Sequence, residues 1–298
     1  MPWFVWLFIS VLCCTVWAAD DARLARLEEI DRLQGQNCPE NYVKIGHAFC
    51  VMKWEAKRGP GDYPVATAAL TPWLTNDPEM AKAACRGLNV HLGILRDRFD
   101  LISNEEWMEI AHAVEAIKDN WVGDQLKGGH IHANENNSPM RPLDGQTANV
   151  APSGEKIFDR RLYVNQDEVV WDLSGNVFEI VDWTRGGPSL DKGPRGCACN
   201  SNTGIARSLA DVQGDACRCS GIAPAAYLPA IASPDLGKRY VGLAHICGDD
   251  SPATVVFRGG YHSHGTNGGI FFFGRENLAG ANYAGKVGFR CVYRLGDI

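Results

Sequence analysis

The sequence predicts an α+β domain in which two helices pack on sheets joined by long loops, and three observations carry that expectation. Residues 76–88 and 103–117 open with helix-start chemistry and continue as helices. Residues 38–55 and 169–183 read as strand, turn and strand. Residues 127–153 and 185–247 are rich in Gly, Pro, Asn or Ser with sparse hydrophobic periodicity, as in surface loops. The 298 residues are 45% hydrophobic and 21% charged, with 32 Gly and 15 Pro, a globular composition. A formal net charge of -6 and the lack of any Lys and Arg run argue against nucleic acid as a partner.

Pro2 to Ala18 is an apolar run with three Trp, closed by Asp20 and Asp21, and Val16 and Ala18 are small residues where a signal peptidase reads. Residues 1–18 are therefore expected to be a signal peptide cleaved near Ala19. The alternative is an uncleaved anchor, the only route by which a membrane would be a partner. Export to a periplasm, a cell surface or the medium makes disulfides the default state of the cysteines. Without Cys13 and Cys14, nine of the eleven remain, an odd number that leaves one thiol over or one intermolecular bridge.

In chain order, 19–37 reads as a short amphipathic helix or linker, with Leu24, Leu27, Ile30 and Leu33 at three-residue spacing. It precedes a domain spanning 38–298. Cys38 and Cys50 flank a hairpin that turns near Gly46 and could be stapled by their bridge. The next helix carries Asp77, Pro78 and Glu79 in its first turn and Cys85 on one face. The second starts with a Ser103 to Glu106 capping box. His130 and His132 form an H-x-H pair with no identifiable third metal ligand, so they read as loop residues. The 185–247 insertion holds Cys197, Cys199, Cys217, Cys219 and Cys247. Four thiolates there could bind zinc, but C-x-C spacing and export favour disulfides, whose pairing stays open.

Two stretches carry a family likeness. Val170 to Trp183 reads VWDLSGNVFEIVDW, and the tail opens with Arg258-Gly259-Gly260 and closes with Gly288-Phe289-Arg290-Cys291. Upstream, FCVMKWE (Phe49 to Glu55) and LISNEEW (Leu101 to Trp107) follow the same order. Together these resemble the formylglycine-generating-enzyme, or sulfatase-modifying-factor, family. The resemblance implies a C-type-lectin-like fold with two helices on irregular antiparallel sheets. It also implies a Cys85 to Cys291 bridge joining helix to final strand, and oxygen ligands for calcium at Asn176 and Glu179.

That family's enzymes need two cysteines shortly after R-G-G, where this chain has His264 and Gly269, so no copper is expected. His262 and His264 alone make an incomplete metal set. The tail also resembles the variable proteins of diversity-generating retroelements, which display a diversified binding surface on this fold. Tyr261, His262, Ser263, His264, Asn267, Phe271, Phe273, Asn282 and Tyr283 become the candidate contacts for a protein or glycan ligand. Of the apolar run Ile270 to Phe273, at most two side chains are expected to be exposed. The expected function is non-catalytic ligand binding. The alternatives are a formylglycine-generating-type enzyme with an altered active site and a structural envelope domain.

Overall fold

The computed structural model describes residues 23–121, 131–133, 142–146, 159–183, 246–248, 255–263, 268–276 and 285–296. The 1–18 segment, His130, Cys197, Cys199, Cys217, Cys219, His264, Asn267, Asn282 and Tyr283 lie outside them. Among the described residues the fold is α+β, with helix α1 (residues 23–34), α2 (Pro78–His91) and α3 (Asn104–Glu115). None of these helices is long and apolar enough to cross a membrane.

Local chemistry sets where the helices begin. The Asp77 carboxylate accepts from the backbone N–H groups of Glu79 and Met80, and Pro78 occupies the first turn, where its missing N–H costs nothing. At α3 the Ser103 hydroxyl accepts from Glu106 N–H while the Glu106 carboxylate accepts from Ser103 N–H, a complete capping box. Helix α2 runs one turn beyond the expected Leu88. Buried Asn89 holds that turn, donating to Phe99 O at 2.9 Å and accepting from the N–H groups of Arg98 and Phe99.

The hairpin strands β1 (Tyr42–Ile45) and β2 (Phe49–Met52) join β5 (Phe99–Leu101) and β13 (Cys291–Arg294) in an antiparallel sheet of order β1-β2-β13-β5. A second, five-stranded sheet has the order β12-β8-β10-β11-β9, formed by β8 (Phe178–Val181), β9 (Ile246–Gly248), β10 (Val255–Gly259), β11 (Gly269–Glu276) and β12 (Val287–Phe289). This sheet is mixed rather than antiparallel, since β12 with β8 and β9 with β11 run parallel. Two small ribbons complete the set, β3 (Lys57–Arg58) with β4 (Pro64–Val65) and β6 (Arg161–Tyr163) with β7 (Val169–Trp171). Strands β7 and β8 follow the strand, turn and strand read from 169–183, but the two do not pair with each other. Each pairs elsewhere, and only the turn between them is shared.

The main strands are buried on both faces, so each feeds two cores. Phe49 and Val51 join Trp107, Ile110, Val256 and Phe271 on one side. Cys50 and Met52 join Phe178, Phe257, Phe272 and Phe289 on the other. This double burial explains the continuous apolar runs, which alternation alone reads as half-exposed. Bridges join Cys38 to Cys50 and Cys85 to Cys291, with S–S separations of 2.09 and 1.99 Å. The second ties α2 to β13.

The end of α1 is docked on the domain. Arg98 donates to Asp31 at 2.8 Å and to Arg294 O at 3.2 Å, the Tyr293 hydroxyl donates to Gln34 O, and Gly296 N–H donates to Gly35 O at 3.1 Å. Three-residue spacing walks about 60° around an α-helix at each step. Leu24, Leu27 and Leu33 consequently spread over half the helix and stay exposed.

Candidate functional site

The residues that carry the family likeness converge in the interior. Arg290 is the single residue between β12 and β13, at the point where the chain leaves one sheet and enters the other. Its fully buried guanidinium grips Glu179 with two hydrogen bonds, at 2.9 and 2.6 Å, and donates to Met52 O and Trp171 O at 2.9 Å each. One side chain thus fastens β2, β7 and β8 together. Beside it Arg160 holds Asp172 in the same forked manner, at 2.8 and 2.5 Å, and donates to Asp144 O.

The turn between β7 and β8 is where these groups meet. Asp172, Gly175 and Asn176 have φ values of 58°, 94° and 62°. Asp and Asn are the non-glycine residues that best tolerate the left-handed region. The Asn176 amide donates to both oxygens of Glu55 and to Leu143 O, and its carbonyl accepts from Leu143 N–H at 2.7 Å. Lys57 lies 3.4 Å from Glu55. Three acids, Glu55, Asp172 and Glu179, therefore face three bases, Lys57, Arg160 and Arg290, each at most 1% exposed. Burial pushes the Glu55 carboxyl up to about 8, Asp172 and Glu179 add to the rise, and Lys57 and Arg290 oppose it.

The two residues read as calcium ligands sit inside this network. Asn176 and Glu179 are fully buried, their oxygens are directed at Leu143 N–H and the Arg290 guanidinium, and the cation beside Glu179 is Arg290 itself. Among the described residues no group of three or more His, Cys, Asp or Glu is placed to hold a metal ion. The four cysteines with described side chains are all bridged, so none offers a thiolate.

The same network positions the start of the tail. Arg258, fully buried, donates to Asn104 Oδ1 at the start of α3, and burial lowers its guanidinium to about 9 without discharging it at neutral pH. Gly259 O accepts from Gly175 N–H at 2.9 Å. Gly259 takes φ 85°, and a Cβ there would meet Leu173 O at 3.1 Å, so the close approach needs glycine. Strands β10 and β11 pair Arg258 with Phe273 and then Gly259 with Gly269, so the connection 260–268 starts and ends at that last pair. His262 locks the loop to the turn, its N–H donating to Asn176 O at 3.0 Å and its Nδ1 lying 3.0 Å from the same oxygen.

The candidate contacts consequently divide. His262 is 5% exposed and belongs to the framework. Phe271, read as a ligand contact, is fully buried against His112, at 5.6 Å between ring centres, and Ile270 and Phe272 are buried too. Tyr261 is half-buried, with its ring 4.9 Å from that of Phe178 and the Lys286 ammonium 5.0 Å from its centre. Ser263 is partly exposed on the loop. Phe273 lies on β11, while His264, Asn267, Asn282 and Tyr283 fall outside the described residues.

The sequence reading missed Glu55, Lys57, Arg160, Asp172 and Arg290 as a unit. The usable signal was charged residues set inside otherwise apolar strand runs, as in DLSGNVFEIVDW. No protein-family model matches the chain, and no curated protein matches it significantly.

Proposed function

We propose that the protein is exported and binds a protein or glycan ligand without catalysis, on a C-type-lectin-like domain of the formylglycine-generating-enzyme type. In this reading the binding surface is built from the 260–268 loop and the connection 277–286, as in the variable proteins of diversity-generating retroelements. One observation carries the proposal. The 260–268 connection, which holds five of the nine candidate contacts, starts and ends at the Gly259 to Gly269 pair and is fastened at His262 to a turn that is itself set in the buried ion network. A rigid base of this kind lets side chains beyond it vary without loss of the fold, and it lowers the entropy lost on binding. The two bridges agree with an oxidising compartment.

The test is to probe a glycan array and a cell-surface protein array with the full chain and with a variant carrying Ala at Ser263, His264, Asn267, Asn282 and Tyr283. A ligand bound by the first and lost by the folded second is the expected result; binding unchanged in the variant defeats the assignment. The same preparation given copper(I), oxygen and a Cys-containing sulfatase-type peptide is expected to yield no formylglycine. An aldehyde product would replace this reading with the enzymatic one.

A further inference from the structure

A cleft of about 510 Å³ opens where the end of α1 meets the residues after β13. Four arginines line it, Arg32, Arg96, Arg98 and Arg294, against two aspartates, Asp31 and Asp97. Two of the four are held by acids outside the cleft, Arg32 by Glu29 at 2.7 Å and Arg294 by Asp100 at 3.0 Å and Glu106 at 2.7 Å. Asp31 alone serves two guanidiniums, those of Arg96 and Arg98, each at 2.8 Å. Arg98 is 6% exposed, and its Nε is a buried donor with no hydrogen-bond partner. Its guanidinium is held in the wall by bare backbone, since a Cβ on Gly35 or Gly296 would come within 2.8 or 3.3 Å of it. Arg32 and Arg96 sit at the rim, their side chains 57% and 72% exposed. Their surface ion pairs contribute at most about 1 kcal/mol each, so both can turn toward a ligand.

We propose that this cleft binds the phosphate group of an organic ligand. A planar guanidinium presents paired donors that match phosphate oxygens, and a cluster of them selects phosphate over a neutral group. The volume falls in the range of small-molecule sites and exceeds what a bare phosphate fills. The phosphate has two possible sources. One is a soluble phosphomonoester. The other is a lipid headgroup, because exposed Leu24 and Leu27 lie on the same helix and follow the apolar run 2–18. The site shares no residue with the tail surface, so the two assignments stand or fall separately.

The experiment titrates the full chain with glycerol 3-phosphate by calorimetry at low ionic strength. In parallel it measures co-sedimentation with phosphatidylcholine vesicles with and without phosphatidic acid. The comparison protein carries Arg32→Gln and Arg96→Gln, both at exposed positions where folding is preserved. Saturable millimolar or tighter binding that weakens at least tenfold in the double variant is expected. Calorimetric binding assigns a soluble source, and phosphatidic-acid-dependent sedimentation lost in the variant assigns a headgroup. Equal binding by both proteins means an adventitious ion only and overturns the site. Failure of the wild type to bind either probe overturns it as well.

Discussion

Asn176 donates its side-chain amide to both carboxylate oxygens of Glu55, at 2.8 and 3.0 Å, across 121 residues of chain. The pair joins the turn after β7 to the segment after β2, and Glu179 and Arg290 extend the same network to the sheet junction. Asn176→Asp keeps a residue that tolerates the left-handed backbone but replaces the amide donor with a second acid facing the buried Glu55 carboxyl. We expect a loss of about 3–5 kcal/mol, the scale for breaking a buried polar pair. Denaturant unfolding should show a lower midpoint at an unchanged slope; a midpoint equal to the wild type would mean that Glu55 is not held by this amide.

Glu55 also makes stability depend on pH. In the folded chain its proton is retained up to about pH 8, against 4.5 for the ordinary glutamate. The folded state therefore binds more protons than the unfolded state between those values. Its contribution to stability is level below about pH 4.5 and falls as pH rises toward about 8, by at most about 1.4 kcal/mol per pH unit. Burial shifts Glu179 in the same direction. Unfolding free energies measured from pH 5 to 8.5 should decline less steeply in Glu55→Gln than in the wild type. Parallel curves would refute the assignment.

Much of the frame was legible because its signals are local. Asp77 and Ser103 announce the two helix starts by the hydrogen bonds their own side chains make, and the turn near Gly46 separates two runs that pair as neighbours. Partner choice was not legible in the same way. Nothing within Val169 to Trp183 says that β7 pairs back with β6 while β8 takes β10 and β12. The ion network was hidden for a related reason. Glu55 and Lys57 are two residues apart, which places them on one face of an extended chain, and alone that reads as a solvated face. Only the arrival of Asn176 and Arg290 from far along the chain covers it.

The two bridges should differ in weight. Cys85 and Cys291 are 206 residues apart, Cys38 and Cys50 only 12. In the chain-entropy account the longer loop is worth about 5 kcal/mol and the shorter about 3 kcal/mol. Paired replacement of Cys85 and Cys291 by Ala should therefore lower the thermal midpoint more than replacement of Cys38 and Cys50. Non-reducing peptide mapping should recover both linkages; Cys85 bonded to a cysteine of the 185–247 insertion would contradict this arrangement.

Stability and binding should separate within the tail. Alanine at Ser263, His264, Asn282 and Tyr283 together is expected to move the thermal midpoint by only a few degrees, as exposed substitutions do. His262→Ala should cost about 1–3 kcal/mol by removing the buried ring and its bond to Asn176 O, leaving the backbone bond alone. Phe271→Ala should cost about 3–5 kcal/mol through a core cavity. If the fourfold variant melts as Phe271→Ala does, those four side chains are interior and the proposed surface does not exist.

Strand β13 comes almost two hundred residues after β5 in the chain, yet it occupies an inner place in its sheet, with β2 on one side and β5 on the other. Until residues 291–294 have been synthesised, the nascent chain carries a hairpin and a separate strand with an open slot between them, and Cys85 has no Cys291 to meet. Completion of the sheet begun by residues 42–101 thus waits on residues 291–294, a long-range closure that is slow and leaves apolar edges bare in the interval. A premature stop at Cys291 would remove a central rung and the residue that latches it, and should send the chain to proteolysis.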